Sequence, residues 1–270
     1  MNRPIISQIV NIRDEAKNRR TITVKCPQVA RKAQPGQFIM VWIPGVDEIP
    51  MGLSYIGRKY LSFTVHIVGE ATKALCQKHI GELIGIRGPY GRGFTITSGK
   101  VLVVGGGTGM APLIPLIEKL IANKSKITVI NGAKTMNELL FLDKLRKLHE
   151  RGKIKLIIST DDGSMGLKGY ASDIVKELLL KEEFNEIYIC GPEIMIVKIL
   201  RIANKARIHV QALLERYIKC AIGICGSCII DPLGVRVCKD GPVFPSEVLN
   251  QLHELGRYRR NAAGIKEKLI

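Results

Sequence analysis

Val101-Leu-Val-Val-Gly-Gly-Gly-Thr-Gly-Met-Ala-Pro112 runs from four apolar residues into a glycine turn and on into a segment that suits a helix. A solid apolar run fits a strand covered on both faces. A glycine turn entering a helix lets backbone N–H groups meet a pyrophosphate at the helix N-terminus. Gly105, Gly106, Gly107, Thr108 and Gly109 are therefore candidate dinucleotide contacts. The turn is not G-x-G-x-x-G, because Met110 stands where the third glycine would fall, and no Gly-Lys-Ser/Thr follows as in a Walker A loop. The acidic ribose ligand expected about twenty residues on is missing as well. Taken alone, the stretch can also be read as a structural glycine turn.

Downstream, helix patterns at 112–122, 137–150, 171–180 and 193–205 alternate with apolar strand patterns at 127–130, 155–159 and 186–190. Such alternation predicts a doubly wound parallel sheet. Cys190-Gly191-Pro192 ends the last of these strands. That is the carboxyl edge, where ligands bind in open α/β sheets, and a plain strand-ending turn is the alternative.

Upstream, residues 1–98 read as all-β. Short β-rich runs at 5–12, 21–26, 38–43, 53–56, 61–68 and 83–87 are separated by Pro35-Gly36, Pro44-Gly45, Gly57, Gly81 and Gly88-Pro89. The spacing predicts a closed barrel or sandwich, with a short helix at 72–78. Beyond Val210 the strand–helix pattern stops. The division expected is 1–98 barrel, 99–212 α/β domain and 213–270 small C-terminal module.

That module holds Cys220-x4-Cys225-x2-Cys228-x9-Cys238. The C-x4-C-x2-C…C run is the plant-type [2Fe–2S] spacing. Two irons need four thiolates, and three come here from one tight loop. Gly223 and Gly226 between them permit positive φ and close backbone approach, and their N–H groups can tune the centre. Structural zinc more often shows two short Cys pairs, and the pair is not repeated here. Cys26 and Cys76 lie in strand and helix patterns and read as buried hydrophobes.

Composition narrows the function class. Apolar residues make up 46% and charged residues 24%, which excludes wholesale disorder. Lys and Arg number 41 against 24 Asp and Glu, a net charge of +17, but the positive charge is scattered rather than gathered into one arm. It reads as a lysine-rich solvated surface, with an acidic partner as the other reading. With six Phe and one Trp and no basic–aromatic interleaving, no nucleic-acid platform is expected. The longest uncharged stretch, 101–117, carries glycines and prolines and does not read as a membrane span. Met1-Asn2-Arg3-Pro4 leads directly into strand-like sequence without a secretory signal, so a cytoplasmic protein with free or ligating thiols is expected.

The order of these pieces resembles the ferredoxin-reductase-like flavoproteins, and more specifically the electron-transfer subunits of two-subunit, NAD-linked dihydroorotate dehydrogenases. The resemblance spans nearly the whole chain. It rests on Gly88 to Phe94, Gly105 to Leu113, Thr160 to Gly169, Cys190-Gly191-Pro192, Leu214-Glu-Arg-Tyr217 with Cys220 to Cys228, and Cys238 to Phe244. It implies FAD in the barrel, a [2Fe–2S] cluster on Cys220, Cys225, Cys228 and Cys238, NAD(H) on the glycine turn, and Cys190 near the nicotinamide. The flavin contacts implied are Ser54 with the Leu53 and Tyr55 backbone, and His66, Ile67, Ala71 and Thr72. The family's Arg-Pro-x-Ser segment reads Met51-Gly52-Leu53-Ser54 here, so the arginine is absent. Its Gly-x-Gly-Thr turn reads Gly69-Glu70-Ala71-Thr72. Asp161 and Asp162 are candidates for shaping the nicotinamide site, with an acidic turn as the equal alternative. No side chain is expected to act as a nucleophile.

The partner implied is an FMN-containing catalytic subunit, in a heterotetramer of two subunits each. Rival readings are a subunit of an NADPH:ferredoxin oxidoreductase, a sulfide dehydrogenase or a hydrogenase-associated diaphorase, and a redox-sensing module.

Overall fold

The computed structural model describes residues 3–269. Six strands form a closed antiparallel barrel: β1 (Ile5–Ala16), β2 (Arg19–Lys25), β3 (Phe38–Ile43), β4 (Asp47–Ile56), β5 (Tyr60–His66) and β6 (Leu83–Tyr90). Their order around the barrel is β1-β2-β5-β4-β3-β6, with β6 returning to β1. Alternate residues point inward, so Ile22, Val24, Ile39, Val41, Leu61, Phe63, Ile84 and Ile86 fill the interior. Two short helices, α1 (Pro27–Ala30) and α2 (Glu70–Cys76), connect the strands.

The second sheet is built from β7 (Lys100–Gly106), β8 (Lys126–Ala133), β9 (Lys155–Thr160), β10 (Leu167–Lys168), β11 (Glu186–Cys190) and β12 (Val210–Leu213). These six are parallel, in the order β10-β9-β8-β7-β11-β12. Helices α3 (Met110–Ala122) and α4 (Leu142–Glu150) cover the face of Val101, Val103 and Val129. Helices α5 (Ala171–Leu179) and α6 (Glu193–Lys205) cover the face of Leu102, Val104 and Ile130. Both faces are therefore covered, which fits the largely apolar strands, with Thr128, Asn131, Ser159, Thr160, Glu186 and Gln211 as buried polar exceptions.

The cysteine-bearing segment carries the small hairpin β13 (Ile229–Ile230) and β14 (Val235–Arg236). It then returns as β15 (Val243–Pro245), which pairs antiparallel with β12 and closes the large sheet. Helix α7 (Ser246–Leu249) and the hairpin β16 (Tyr258–Arg260) and β17 (Lys266–Lys268) follow. One apolar core joins the parts: Phe38 and Met40 of the barrel, Ile187 and Ile189 of the sheet, and Ala221, Cys228, Val237 and Cys238 of the cysteine segment.

Several boundaries differ from the sequence expectation. Strand β4 starts at Asp47 rather than 53, because Asp47-Glu48-Ile49-Pro50 pairs with β3 despite its loop-like composition. The helix expected at 137–150 is a short 3-10 turn at Met136–Glu138 followed by α4. The break falls at Phe141, which is left-handed at φ +55, where Asn131 Nδ2 donates to the Leu140 carbonyl at 2.9 Å. The helix expected at 72–78 forms two residues earlier, at Glu70–Cys76.

Candidate redox site

Three groups of residues carry the expected site, one on the barrel, one at the carboxyl edge of the large sheet and one on the cysteine segment. The first lies on β4. Leu53 points into the barrel interior, so only its backbone is available to a ligand. Ser54 is buried, and its Oγ has no hydrogen-bond partner. An orphaned buried hydroxyl costs free energy unless something meets it. A flavin ring edge, rich in donors and acceptors, fits that requirement. Tyr55 is exposed beside it. Gly52, two residues before Ser54 on the same strand, faces Pro112 of α3 at 3.6 Å from a notional Cβ, which brings this strand against the start of that helix.

On β5 and α2, His66 is half-buried, and burial, then the Arg19 guanidinium, push its pKa down. Ile67 is exposed and Ala71 half-buried. The Thr72 hydroxyl is engaged within its own turn. Its Oγ1 accepts from the N–H groups of Val68 at 2.9 Å and Gly69 at 3.0 Å and donates to the Gly69 carbonyl. Its hydroxyl is thus spent on shaping the turn before α2.

The second group is a pair of interlocked turns at the carboxyl edge of the sheet. Gly105, Gly106 and Gly107 lead through a 3-10 turn, with Gly107 at φ +54, into α3. A Cβ at Gly109 would stand 2.3 Å from the Cys190 carbonyl oxygen, and one at Gly106 2.9 Å from Pro192. Gly191 approaches Gly106 as closely, at φ +153. The glycine turn and Cys190-Gly191-Pro192 are therefore packed backbone against backbone at Gly106, Gly109 and Gly191, while Gly107 faces open space. Such a backbone surface suits a ligand held by backbone N–H groups. Cys190 is fully buried, and burial, then the Glu215 carboxylate, push its thiol well above the usual range. It serves as a neutral packing group. Beside these turns, the loop after β9 is tied to β8, with Asp161 N donating to the Ala133 carbonyl and Met136 N to Ser164 Oγ. Burial raises the Asp161 carboxyl, against the pull of Lys134, whereas hydrogen bonds from Ser164 lower that of Asp162.

The third group is the cysteine loop. Ala221 at φ +62, Gly223 at +80 and Gly226 at +74 curl the backbone around a centre. The four thiols fall into two pairs. Cys220 Sγ lies within hydrogen-bond reach of Cys225 and accepts N–H groups from Ile224 at 3.4 Å and Cys225 at 3.5 Å. Cys228 pairs with Cys238, whose N–H reaches Cys228 Sγ at 3.5 Å. Among the described residues no three His, Cys, Asp or Glu side chains converge on one point. Two thiol pairs side by side suit two irons, each with two thiolates, rather than one tetrahedral ion. Burial opposes ionisation of Cys220, but the N–H groups of Cys225, Ile222 and Ile224 outweigh it and bring its pKa to about 6. Burial and the neighbouring Cys228 push Cys238 up to about 12. Ile224 at the loop tip is exposed, and a cleft lined by Lys219, Cys225, Ser227, Ile229 and Arg260 opens between the loop and the last hairpin.

Charged residues, of which only Arg216 lies in a quoted motif, hold these groups together. Arg216 and Glu254 are buried and joined at 2.9 Å. Arg216 also grips Glu193, the first residue of α6 after the Cys190 turn. Glu254 Oε2 accepts from Asp231 N at 2.9 Å, at the cysteine segment. Arg19 reaches Glu138 at 2.9 Å and ties β2 to the nucleotide domain. Arg87 on β6 bridges Glu48 and the Cys220 carbonyl. Otherwise their sequence signal is only that of surface charge, because each partner lies far away along the chain.

The profile of the oxidoreductase NAD-binding domain matches residues 103–200. That of the iron-sulfur cluster binding domain of dihydroorotate dehydrogenase B matches 215–250. A relative from Methanocaldococcus jannaschii, named "Probable dihydroorotate dehydrogenase B (NAD(+)), electron transfer subunit", is 46% identical over 266 residues, covering 98% of this chain and 99% of its own. A like-named protein of Methanocella arvoryzae is 44% identical over 99% of this chain and all of its own. Among solved structures, a chain of the NADH-dependent reduced ferredoxin-NADP oxidoreductase superposes with a TM-score of 0.82 at 27% identity, over 93% of this chain and 94% of its own. With the barrel, the dinucleotide turns and the paired cysteines all in place along its length, the chain belongs to the family of dihydroorotate dehydrogenase B electron transfer subunits.

Proposed function

We propose that this chain is the electron-transfer subunit of an NAD-linked dihydroorotate dehydrogenase. The observation that carries the reading is the two thiol pairs in the 215–250 iron–sulfur match, in a chain that aligns end to end with named electron transfer subunits. Bound FAD and [2Fe–2S] groups supply the exchange between two-electron hydride chemistry and single-electron steps. Oxidation of dihydroorotate to orotate, on the partner, releases two electrons and two protons. NAD+ takes both electrons and one proton as hydride, and the second proton leaves to solvent.

The chain's own residues position and insulate. In this proposal Ser54 gives its free hydroxyl to the flavin, and the Leu53 and Tyr55 backbone flanks the ring. His66, Ile67 and Ala71 line the flavin, and Thr72 shapes the turn beside it. Gly105 to Gly109 and Cys190 to Pro192 present backbone to the nicotinamide dinucleotide, with NAD rather than NADP as the co-substrate. Cys220, Cys225, Cys228 and Cys238 hold the cluster. The division into a 1–98 flavin barrel, a 99–212 nucleotide domain and a 213–270 cluster module belongs to this proposal.

An electron transfer subunit has a catalytic partner. We infer that this partner carries FMN, that the assembly holds two copies of each subunit, and that it works in the cytoplasm. No described helix is long and apolar enough to cross a membrane. The test is anaerobic co-purification with a tagged form of the chain, followed by dihydroorotate-dependent NAD+ reduction. Orotate formation that tracks a co-purifying FMN subunit is the expected result. NAD(P)H oxidation with no orotate overturns the substrate assignment and moves the relay to another oxidoreductase.

A further inference from the structure

The seam between the barrel and the cysteine loop contains one side-chain bridge that neither the glycine turns nor the cysteine spacing explains. Arg87 lies on the outer face of β6 and Glu48 on β4, on either side of β3. Arg87 Nε donates to Glu48 Oε1 at 2.5 Å and its second terminal nitrogen to Glu48 Oε2 at 2.6 Å, a two-pronged pair. Its remaining nitrogen, Nη1, donates to the Tyr90 hydroxyl at 3.1 Å and to the Cys220 carbonyl at 3.1 Å. The guanidinium also lies 5.5 Å from the centre of the Tyr90 ring, which itself packs against Phe38. The Arg87 side chain is about one-tenth exposed.

A guanidinium held by a two-pronged carboxylate has its plane fixed. Its last donor is then aimed rather than searching. Here it is aimed at the backbone of the first cysteine of the loop, from a strand of the barrel. The rest of the loop is anchored elsewhere: Arg236 Nη1 holds the Gly223 carbonyl from within the cysteine segment itself, and Arg92 N meets the Gly241 carbonyl beyond the loop. Among the described residues, Arg87 is the side chain by which the barrel holds Cys220.

We propose that Arg87 is a positioning residue for electron transfer between the barrel's flavin and the cluster, fixing the gap between them by pinning the Cys220 end of the loop to the barrel. The inference rests on the cofactor assignment above. Electron exchange across protein falls off steeply with the gap, so a loosened loop slows that step and leaves hydride transfer alone. Each NADH delivers two electrons to the flavin as hydride. The cluster accepts one of them, and the flavin retains the other.

The experiment uses the full chain loaded with FAD and cluster, mixed rapidly with NADH, with flavin and cluster bleaching followed separately. Arg87→Lys keeps a positive charge opposite Glu48 but lacks the fork that spans to Cys220. Arg87→Gln removes the charge as well. In both, flavin reduction stays within about twofold of the parent, while cluster reduction slows about tenfold or more, as expected for a small misplacement in a positioned site. Amide hydrogen exchange at residues 221–228 rises, while amides of the barrel interior stay protected.

If Arg87→Gln does not fold, Arg87→Lys decides alone. Cluster reduction that keeps pace with the parent overturns the proposal, as does equal slowing of both steps or unchanged exchange in the loop. Failure of the parent itself to bind FAD and cluster, or to be bleached by NADH, counts instead against the cofactor assignment, so the two failures are distinguishable.

Discussion

At the scale of single residues, the site divides into groups that ligate and groups that hold the ligating groups in place. Cys225 is exposed on the loop, within reach of Cys220. Cys225→Ser should abolish the cluster's visible absorbance while FAD remains bound, and a full cluster spectrum in the variant would remove Cys225 from the ligand set. The cysteine spacing was legible in the sequence because Cys220, Cys225 and Cys228 fall within nine residues of one loop, a purely local pattern. Ser54 was reached only through resemblance, and its free hydroxyl gives it a physical reason. Arg87 and Glu254 were not legible, and Arg216 was marked only by the Leu214–Tyr217 block, without its partners. The bonds Arg87 makes to Glu48 and Cys220 span 39 and 133 residues of sequence, and no local pattern marks them.

Among elements, the decisive contact is between two turns. Gly109 has no room for a methyl group, since the obstacle is the backbone of Cys190 and Gly191 rather than a movable side chain. Gly109→Ala should cost about 1–3 kcal/mol of stability through overpacking. It should also cut NADH reduction of the flavin about tenfold or more, because the turns proposed to meet the dinucleotide are forced apart. Melting curves and rapid-mixing bleaching check the two effects separately. The edge made by β11, β12 and α7 carries a titrating group. His209 sits between Glu186 at 2.6 Å and Glu247 at 3.2 Å. Burial works against its charged form, but the two carboxylates, Glu186 first, outweigh it and raise its pKa above 6.5. Its contribution to stability is therefore complete below that value and is lost as pH rises through the raised folded pKa. Chemical denaturation from pH 6 to 9 should show declining stability, and His209→Gln should flatten the decline. The strands and helices of the α/β domain were legible to within a few residues because their apolar runs are long and uninterrupted. Strand β4 and the start of α4 were not. Tertiary pairing with β3 overrode the loop-like residues of β4, and a left-handed Phe141 interrupted the α4 pattern.

For the whole molecule, the sequence conveyed the order of the parts but not how they share one core. Phe38 and Met40 of the barrel pack in the same apolar cluster as Cys228 and Cys238, though nothing local to either segment says so. The topology of the last sheet strand has a consequence for how such a chain can be rebuilt. Strands β12 and β15 lie side by side, with Leu213 opposite Val243. The four cysteines proposed to hold the cluster thus sit on a single excursion, 214–242, that leaves one strand and re-enters beside it. It amounts to a cassette plugged into a hairpin. It is held to the rest of the molecule by the shared apolar core, by Arg216 to Glu193, by Arg92 N to the Gly241 carbonyl, by Arg87 to the Cys220 carbonyl, and by the tail after Leu249 through Glu254 and Arg260. Joining Leu213 to Val243 through Asn-Gly, the two-residue turn suited to an antiparallel pair, and ending the chain at Leu249 should leave a colour-changed flavoprotein that melts well below the parent, because Leu214, Ile218, Val237 and Leu252 are lost from the shared core. It should reduce a soluble dye with NADH, show no iron-based absorbance, and carry no electrons from dihydroorotate. A bare two-cofactor reductase and an iron-bearing relay would then differ by one removable insert.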